Sequence, residues 1–417
     1  MNSSSKYALV FIIIGGIIIA SIAGVIYINS LKKSGGGDDD DDDGVLLGPP
    51  TSNPRVNIYV NSTLYSSIKT DVDKYVQNAT SQGFVIKVIN WSIPDVDTLK
   101  LNITNEYGNN SISGVILIGK MPYAMGRYQE TYSVPPFSKN FVCPIDMYLM
   151  DLDGNWTDFS GDNVYDFDPN LPFKLEHGNG TGDWGPEIWL ARIDPYSISY
   201  AGFNYINSIK DFFKRTRELR NGTLVRPHKA MLYIDDDWST WTTEWAGAFT
   251  AYTGTQRVVH SNNALTNSTN YMNNLTQICY ELVHPLVHSY PEKHAFGPAG
   301  PPSGTQGFLR YQDIISNNTT PLFYMMYACT IFNHTIKNNI ASHYLFTGGS
   351  TITVVASSRS GGVDLYEPYY DALKQGKTFG EGFYTWLQNP EIEELNKEPN
   401  YYGMTILGDP FATIYMT

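Results

Sequence analysis

The sequence predicts an α/β protein with two adjoining doubly wound, mostly parallel-sheet units behind an N-terminal transmembrane helix. Two observations lead to this prediction. From Arg55 onward, short apolar runs typical of buried strands alternate with segments of helical spacing, and the alternation restarts at Ala230. Ahead of them, Tyr7 to Ile28 contains no charged residue. About 20 apolar residues are enough to span a bilayer.

The first unit contains four predicted strands, at 56–60, 84–89, 114–119 and 188–193. The helical spacing of Ile68, Val72 and Tyr75 predicts a helix that stops before Gly83. Further helices are expected at 96–107 and from about 197 to 217, with a loop-rich stretch up to about 185 between the third and fourth strands.

The second unit repeats this rhythm. Strands are predicted at 230–235, 257–260, 278–288, 322–329 and 350–357, with a closing segment at 401–416. Helices are expected in a Trp-rich segment after 235, at 336–344 and twice within 367–387. The chain therefore divides into an anchor (1–33), a Gly/Asp-rich linker (34–53), a first α/β subdomain (54–225) and a second one (226–417).

The charge composition argues against a nucleic-acid partner. The chain has 28 Lys and Arg against 41 Asp and Glu, a formal net charge of −13, and its single basic cluster is KRTRELR. Nucleic-acid binding needs a basic face to neutralise phosphates. The acidity is otherwise explained by solubility.

The N-terminal region predicts a single-pass membrane protein with its body outside the cytoplasm. A cleaved signal peptide, cut near Ser21-Ile-Ala23, is the alternative, but the apolar run continues past that point. Six consecutive aspartates, Asp38 to Asp43, then predict an extended, solvated linker. N-x-S/T sequons follow along the whole body, and they act as glycan acceptors only on an exported face. We therefore expect an extracytoplasmic, glycosylated body.

Two predicted strands of the second unit end in residues that suit nucleophilic catalysis. His288 follows VHPLV and Cys329 follows MMYA, and ligands of α/β sheets gather at the carboxyl ends of strands. A thiol is nucleophilic as the thiolate, which a nearby imidazole can generate or stabilise. His284, before Pro285 (which we expect to disrupt the strand), and His294 are alternative bases.

The order of several segments resembles the gingipain family of caspase-like cysteine peptidases. The matching pieces run from VILIG at 115–119 through PEIWLARI, YIDDDW, PLFYMMYACTIF and STITVVASSRSGG to the Gly-Asp-Pro at 408–410. The resemblance implies a caspase-like fold and an endopeptidase that acts on protein or peptide substrates. In that family one strand ends in His-Gly and the next in Ala-Cys, and this chain departs from the pattern with His288-Ser289.

By this resemblance Cys329 attacks the scissile carbonyl to form a thioester acyl-enzyme, and His288 protonates the leaving amine. The backbone N–H groups of Ser289 and Cys329 would bind the oxyanion. Asp235 and Asp237, in a run of three aspartates at a strand end, are candidates for binding a basic substrate side chain.

No cofactor is expected for catalysis, although a structural calcium ion is a candidate. Asp151, Asp153 and Asp158 lie in an oxygen-rich loop, DLDGNWTD, whose glycine is in the wrong register for an EF-hand. A turn capped by its own Asp side chains is the alternative.

Two other functions compete with peptidase activity. Trp238, Trp241 and Trp245 suggest a cell-surface adhesion or glycan-binding protein, but their spacing of three and four is typical of one helix face. A catalytically inactive gingipain-like protein would have the same sequence pattern.

Overall fold

The computed structural model describes residues 53–133, 136–154, 156–166, 185–298, 304–326, 328–360, 366–389 and 402–414. Its strands are β1 (Arg55–Asn61), β2 (Val85–Trp91), β3 (Ile112–Ile118), β4 (Ala124–Ser133), β5 (Pro136–Ile145), β6 (Trp189–Ile193), β7 (Ala230–Ile234), β8 (Arg257–His260), β9 (Leu282–Leu286), β10 (His288–Tyr290), β11 (Lys293–Ala295), β12 (Phe308–Arg310), β13 (Phe323–Met326), β14 (Thr353–Ser357) and β15 (Met404–Gly408).

Helices connect most of these strands. They are α1 (Ser62–Ser81), α2 (Val96–Asn110), α3 (Met147–Met150), α4 (Tyr205–Arg220), α5 (Thr242–Ala248), α6 (Ser268–Gln277), α7 (Tyr311–Ser316), α8 (Ile340–Phe346), α9 (Glu367–Lys374) and α10 (Phe379–Leu387). Local sequence sets several of their ends. Asn61 and Asn204 accept backbone N–H groups in the first turns of α1 and α4, and Gly83, at φ +99°, follows α1.

One sheet joins the strands predicted for both units. Ten strands lie in the order β2-β1-β3-β6-β15-β14-β13-β9-β7-β8 within the described residues. Neighbours pair in parallel along β2-β1-β3-β6 and along β14-β13-β9-β7-β8, and β15 is antiparallel to β14. The mostly parallel α/β sheet that the sequence predicts is therefore present. The division of the chain at residue 225 stays a prediction.

Helices cover both faces of this sheet. Adjacent residues of a strand point to opposite faces. In β13, the ring of Phe323 lies 4.5 Å from that of Phe379 in α10, and the ring of Tyr324 lies 4.7 Å from that of Tyr344 in α8. The two helices are thus on opposite sides, as in a doubly wound fold.

The structure corrects several predicted elements. The loop-rich stretch before residue 185 contains the antiparallel hairpin β4–β5, whose strands are each ten residues long. Helix α4 begins at Tyr205, not near residue 197, because the Asn204 side chain accepts the N–H of Asn207 and caps the helix there. The small sheet β10-β11-β12 and helix α6 have no counterpart among the predicted elements.

The predicted anchor (1–33) and almost all of the linker (34–53) lie outside the described residues. Among the residues that are described, no helix has both the length and the apolar composition needed to cross a membrane.

Asp409 ties together both ends of the fold. It follows Gly408, whose φ of +107° and close approach to the Ile352 carbonyl leave no room for a Cβ. The fully buried carboxylate accepts the Tyr75 hydroxyl of α1 at 2.7 Å and lies 2.6 Å from Nη2 of Arg220 at the end of α4. The Gly-Asp-Pro segment therefore anchors two helices of the first predicted unit to the last strand.

Replacing this carboxylate should destabilise the whole fold. Asp409→Asn leaves the Arg220 guanidinium buried without its counter-charge, which costs about 3–5 kcal/mol of unfolding free energy. Urea denaturation followed by circular dichroism would measure the change. Asp73→Asn, in the exposed Lys69–Asp73 pair, is the control and should leave the midpoint unchanged. Equal stability of the two variants would contradict this role for Asp409.

Candidate active site

The strand register relates the chain positions of Cys329 and His288. Strands β13 and β9 pair in parallel at Phe323–Leu282 and Tyr324–Val283. Cys329 and His288 each follow the last of these pairs by five residues. Strand β13 ends at Met326 and β9 at Leu286, so both residues come shortly after the ends of neighbouring strands.

Pro285 explains why the sheet opens between them. The sequence suggested that Pro285 disrupts the strand, but β9 continues through it, with Pro285 opposite Tyr233 of β7. The Leu286 carbonyl accepts the Asp235 N–H at 3.0 Å, so residue 286 faces β7. By alternation Pro285 faces β13, where its missing N–H cannot continue the pairing. The two strands therefore separate just before His288 and Cys329.

His288 is held by a carboxylate and an indole. Its Nε2 lies 2.6 Å from Oδ2 of Asp237, and its ring centroid lies 4.5 Å from that of Trp238. A carboxylate only accepts hydrogen bonds, so Nε2 is the donor, and in the tautomer with its single proton on Nε2 the other nitrogen, Nδ1, is an acceptor. This arrangement suits a base that takes a proton from a thiol at Nδ1.

Cys329 is partly exposed and opens a strained turn. Thr330, the next residue, has φ +57°, which is unfavourable for a β-branched side chain. The turn is fastened to the end of β14 and the loop after it, because the N–H groups of Thr330 and Phe332 donate to the carbonyls of Arg359 (2.7 Å) and Ser357 (2.9 Å). These bonds fix the direction of the Cys329 backbone. No sequence signal marked Thr330.

The two alternative histidines are interior residues. His284 Nδ1 lies 2.8 Å from the Tyr370 hydroxyl, and His294 Nδ1 lies 2.7 Å from the Ser289 hydroxyl. Burial lowers the pKa of each imidazole to about 3, so both are neutral at physiological pH. Of the three candidate bases, His288 is the one that contacts a carboxylate.

The three consecutive aspartates each hold a different part of the site. Asp235, fully buried, accepts the Gly297 N–H at 2.8 Å, and burial raises its pKa to about 7. Asp236 accepts the Gln306 amide at 2.9 Å. Asp237 bonds to His288 and keeps a third of its side chain exposed. Substrate binding by Asp235 and Asp237 stays a prediction, and both carboxylates already have partners within the chain.

The Trp residues behind the glycan-binding alternative pack inside the fold. Trp238 lies against His288, Trp245 is buried, and Trp241 is partly buried against the core. Two of them fall in a 3₁₀ turn at Asp236–Trp241 and the third in α5. The three residues pack against the interior, but they do not lie on one helix face as the sequence suggested.

No protein-family model and no curated protein sequence matches the chain. Solved structures do match it. A protease shares 12% sequence identity over 88% of this chain and 80% of its own, with a TM-score of 0.60. Gingipain R, an Arg-specific cysteine proteinase, shares 14% identity over 88% of this chain and 79% of its own, with a TM-score of 0.58.

The chain has a gingipain-type, caspase-like fold. The resemblance found in the sequence is confirmed at the level of the fold. At identities of 12–14% this likeness shows the architecture alone. The chemistry of this gingipain-like chain has to be argued from its own residues.

The gingipain-like fold also gathers an acidic cluster far from Cys329 in sequence. Carboxylate oxygens of Asp151, Asp153 and Glu187 lie within 4.8 Å of one another. Asp158, the third predicted ligand, is outside this group. It caps its own turn by accepting the N–H groups of Gly161 and Asn163, both at 2.7 Å. Glu187 takes the expected place of Asp158, and its distance along the chain hid it from sequence analysis.

Burial makes this cluster electrostatically unusual. The pKa of Glu187 is raised to about 7, mainly by burial and also by the neighbouring charges of Asp151 and Asp153. Burial also lowers the pKa of the nearby Lys100 ammonium to about 8, although the surrounding carboxylates favour its charged form. Lys100 Nζ lies 4.3 Å from the centre of the Tyr148 ring. The three carboxylates therefore converge close to the ammonium group of Lys100.

Proposed function

We propose that this protein is a membrane-anchored, extracytoplasmic cysteine endopeptidase that uses Cys329 as nucleophile and His288 as its base. The observation that carries the proposal is the common register of the two residues beyond the β9–β13 pairing, with Asp237 orienting His288. The gingipain-type fold supports it, because the neighbours of the same fold are proteases.

The chemistry proceeds in two halves. The Cys329 thiol gives its proton to Nδ1 of His288, and Sγ attacks the substrate carbonyl carbon to form a tetrahedral oxyanion. The N–H groups of Ser289 and Cys329 stabilise that oxygen. His288 then protonates the leaving amine, which leaves a thioester. In the second half His288 takes a proton from water, the hydroxide displaces Sγ, and the acid product departs.

The electrostatic role of Asp237 follows from its contact. The imidazolium that forms when His288 accepts the thiol proton is stabilised by the carboxylate at 2.6 Å. Trp238 covers the ring and limits its rotation. Asp237 and Trp238 therefore fix the orientation of the His288 ring, which moves protons between Sγ, the leaving amine and water.

The location is part of the proposal and is supported by sequence features. The apolar run Tyr7 to Ile28 precedes the body, and sequons follow it. The asparagines of several sequons are exposed, which suits glycan attachment: Asn90, Asn109, Asn221, Asn317 and Asn318. Asn274 and Asn333 are buried and are unsuited to it.

We also propose that Asp151, Asp153 and Glu187 bind a structural calcium ion. Three convergent carboxylates form the oxygen-rich donor set that calcium prefers. Burial, and to a smaller extent Asp151 and Asp153, raises the pKa of Glu187, so a bound cation would favour its ionised form. A bound ion would fasten the loop after α3 to the segment ahead of β6.

Cys329 should be required for peptide hydrolysis and for active-site labelling. A soluble 51–417 protein and its Cys329→Ala and Cys279→Ala variants would be assayed on a peptide library and with an acyloxymethyl-ketone probe. Cys279 is an exposed free thiol and serves as the matched control. We expect Cys329→Ala to lose both signals and Cys279→Ala to keep both. An inert wild type of native fold would instead support the inactive-relative alternative.

Asp237→Asn should lower kcat for every substrate alike. Without the carboxylate the His288 imidazolium is less stable and the ring less well oriented, so we expect a loss of about 10²-fold, the low end of acid–base contributions. Peptides that differ only in Arg, Lys, Asp or Leu at the cleavage position would be compared. Asp236→Asn, its neighbour with a Gln306 partner, is the control.

The same peptides test the predicted basic specificity. A selective loss of the Arg and Lys peptides in Asp237→Asn, with the other peptides unaffected, would assign Asp237 to substrate binding and contradict the orienting role.

Calcium should raise the melting temperature of the wild type but not of Glu187→Gln. At 100 times the dissociation constant, binding contributes about 2.7 kcal/mol. Without calcium, the direction in which stability changes with pH is set by Glu187, whose pKa is raised on folding to about 7. Its stabilising contribution is present below pH ~4.5 and is lost as the pH rises through 7. Glu187→Gln should therefore lose less stability between pH 5 and 8.

Melting curves in EGTA and in calcium chloride would measure both effects. Asp158→Asn is the control, because Asp158 lies outside the cluster, and it should keep the calcium response. A wild type that is insensitive to calcium would contradict the proposal.

A further inference from the structure

Ser289 stands where the gingipain resemblance has glycine, and its side chain could crowd the proposed oxyanion hole. The following inference rests on the proposed function and concerns how the fold removes that side chain from the site. It depends on the hairpin formed by β10 and β11, whose register pairs are His288–Ala295, Ser289–His294 and Tyr290–Lys293.

The hairpin geometry directs the N–H group and the side chain of Ser289 to different places. Two residues, Pro291 and Glu292, join the strands, so the closing pair Tyr290–Lys293 is hydrogen-bonded and the next pair, Ser289–His294, is not. In a non-hydrogen-bonded pair the side chains approach most closely and the N–H groups point outward from the hairpin. The Ser289 N–H therefore points to the outer edge of β10. No other strand pairs with that edge among the described residues.

Strand alternation places the Ser289 side chain on the opposite face from His288. His288 faces Asp237 and Trp238, whereas Ser289 Oγ lies 2.7 Å from Nδ1 of His294. Oγ also donates to the Val287 carbonyl at 3.2 Å. We assign the single hydrogen of the hydroxyl to the Val287 carbonyl, and on this assignment Nδ1–H of His294 donates to Oγ.

His294 is well suited to hold this hydroxyl permanently. The imidazole is fully buried, and its ring centroid lies 6.1 and 5.9 Å from those of the buried Tyr271 and Tyr344. Burial lowers its pKa to about 3, so the ring stays neutral at working pH. The surrounding rings fix its orientation through close packing.

We propose that His294 is a positioning residue that holds the Ser289 hydroxyl in the interior, so that the Ser289 N–H remains directed at the substrate oxyanion. Without this bond the hydroxyl would lose its buried donor and turn toward water or the substrate, and residue 289 would rotate with it. His294 thereby lets serine occupy a position that otherwise requires glycine. It touches no reacting atom.

Two nearly isosteric substitutions of His294 separate the hydrogen bond from the packing. Asn places an amide near the position of Nδ1 and can donate to Ser289, whereas Leu has a similar shape and cannot. His294→Asn, His294→Leu, Ser289→Gly and Ser289→Gly/His294→Leu would be compared with the wild type. Steady-state kcat and KM would be measured, and thermal melting would verify folding of each variant.

The rates at which two reagents alkylate Cys329 test the oxyanion hole separately from peptide hydrolysis. An acyloxymethyl ketone passes through an oxyanion, whereas iodoacetamide alkylates the thiolate by direct displacement and does not. We expect His294→Leu to lower kcat and the ketone-to-iodoacetamide rate ratio about 10-fold or more, less than the loss of a whole oxyanion donor. KM and the iodoacetamide rate should stay unchanged, and His294→Asn should stay close to the wild type.

The double variant decides the proposal. In Ser289→Gly there is no hydroxyl to hold, so adding His294→Leu should cost little activity beyond Ser289→Gly itself. If His294→Leu lowers kcat equally in both backgrounds, His294 is merely structural and the inference is wrong. A folded His294→Leu with wild-type kcat also overturns it. A wild type that reacts with neither peptides nor the ketone would refute the proposed peptidase, whereas these variant patterns refute the positioning role alone.

Discussion

The short pairing between β9 and β13 is the constraint on which the candidate site depends. It comprises two register pairs and stops where Pro285 turns toward β13 without an N–H. A longer ladder would have held His288 and Cys329 inside the sheet, with their backbone groups bonded to each other. Because the ladder stops there, His288 and Cys329 each lie five residues beyond its last pair. Pro285 thus creates an opening at a fixed place.

The loops around this opening are organised by the three aspartates after β7. Consecutive carboxylates point in different directions, and each reaches a different segment: Asp235 the Gly297 backbone, Asp236 the Gln306 amide and Asp237 the His288 ring. An acidic run that resembles a solvated turn is therefore the framework of the site. Burying a carboxylate is electrostatically unfavourable, and this is seen at Asp235, whose pKa is raised to about 7 mainly by burial.

Sequence patterns predicted the central strands and the positions of Cys329 and His288, because apolar runs and strand ends are local features. Side-chain convergence was not predictable in the same way. Asp237 and His288 are 51 residues apart, and they meet because β7 and β9 are neighbours in the sheet. Glu187 joins Asp151 and Asp153 because its N–H donates to the Met150 carbonyl at the end of α3. The small sheet β10-β11-β12 was also missed, since its three-residue strands are too short to show a period.

At Ser289, which stands where the gingipain resemblance has glycine, the alternation of side chains along the strand matters more than the size of the residue. Considered alone, a serine in place of glycine adds a side chain to a tight site. Yet His288 and Ser289 are adjacent in β10, so a strand that points one of them at the substrate points the other into the protein. The Ser289 hydroxyl must then be accommodated in the interior, where leaving it without a hydrogen bond costs about 1–3 kcal/mol. There the hydroxyl donates to the Val287 carbonyl, and His294 across the hairpin is its second partner. Glycine makes no such demand, so serine at this position and a buried histidine opposite it form one functional unit.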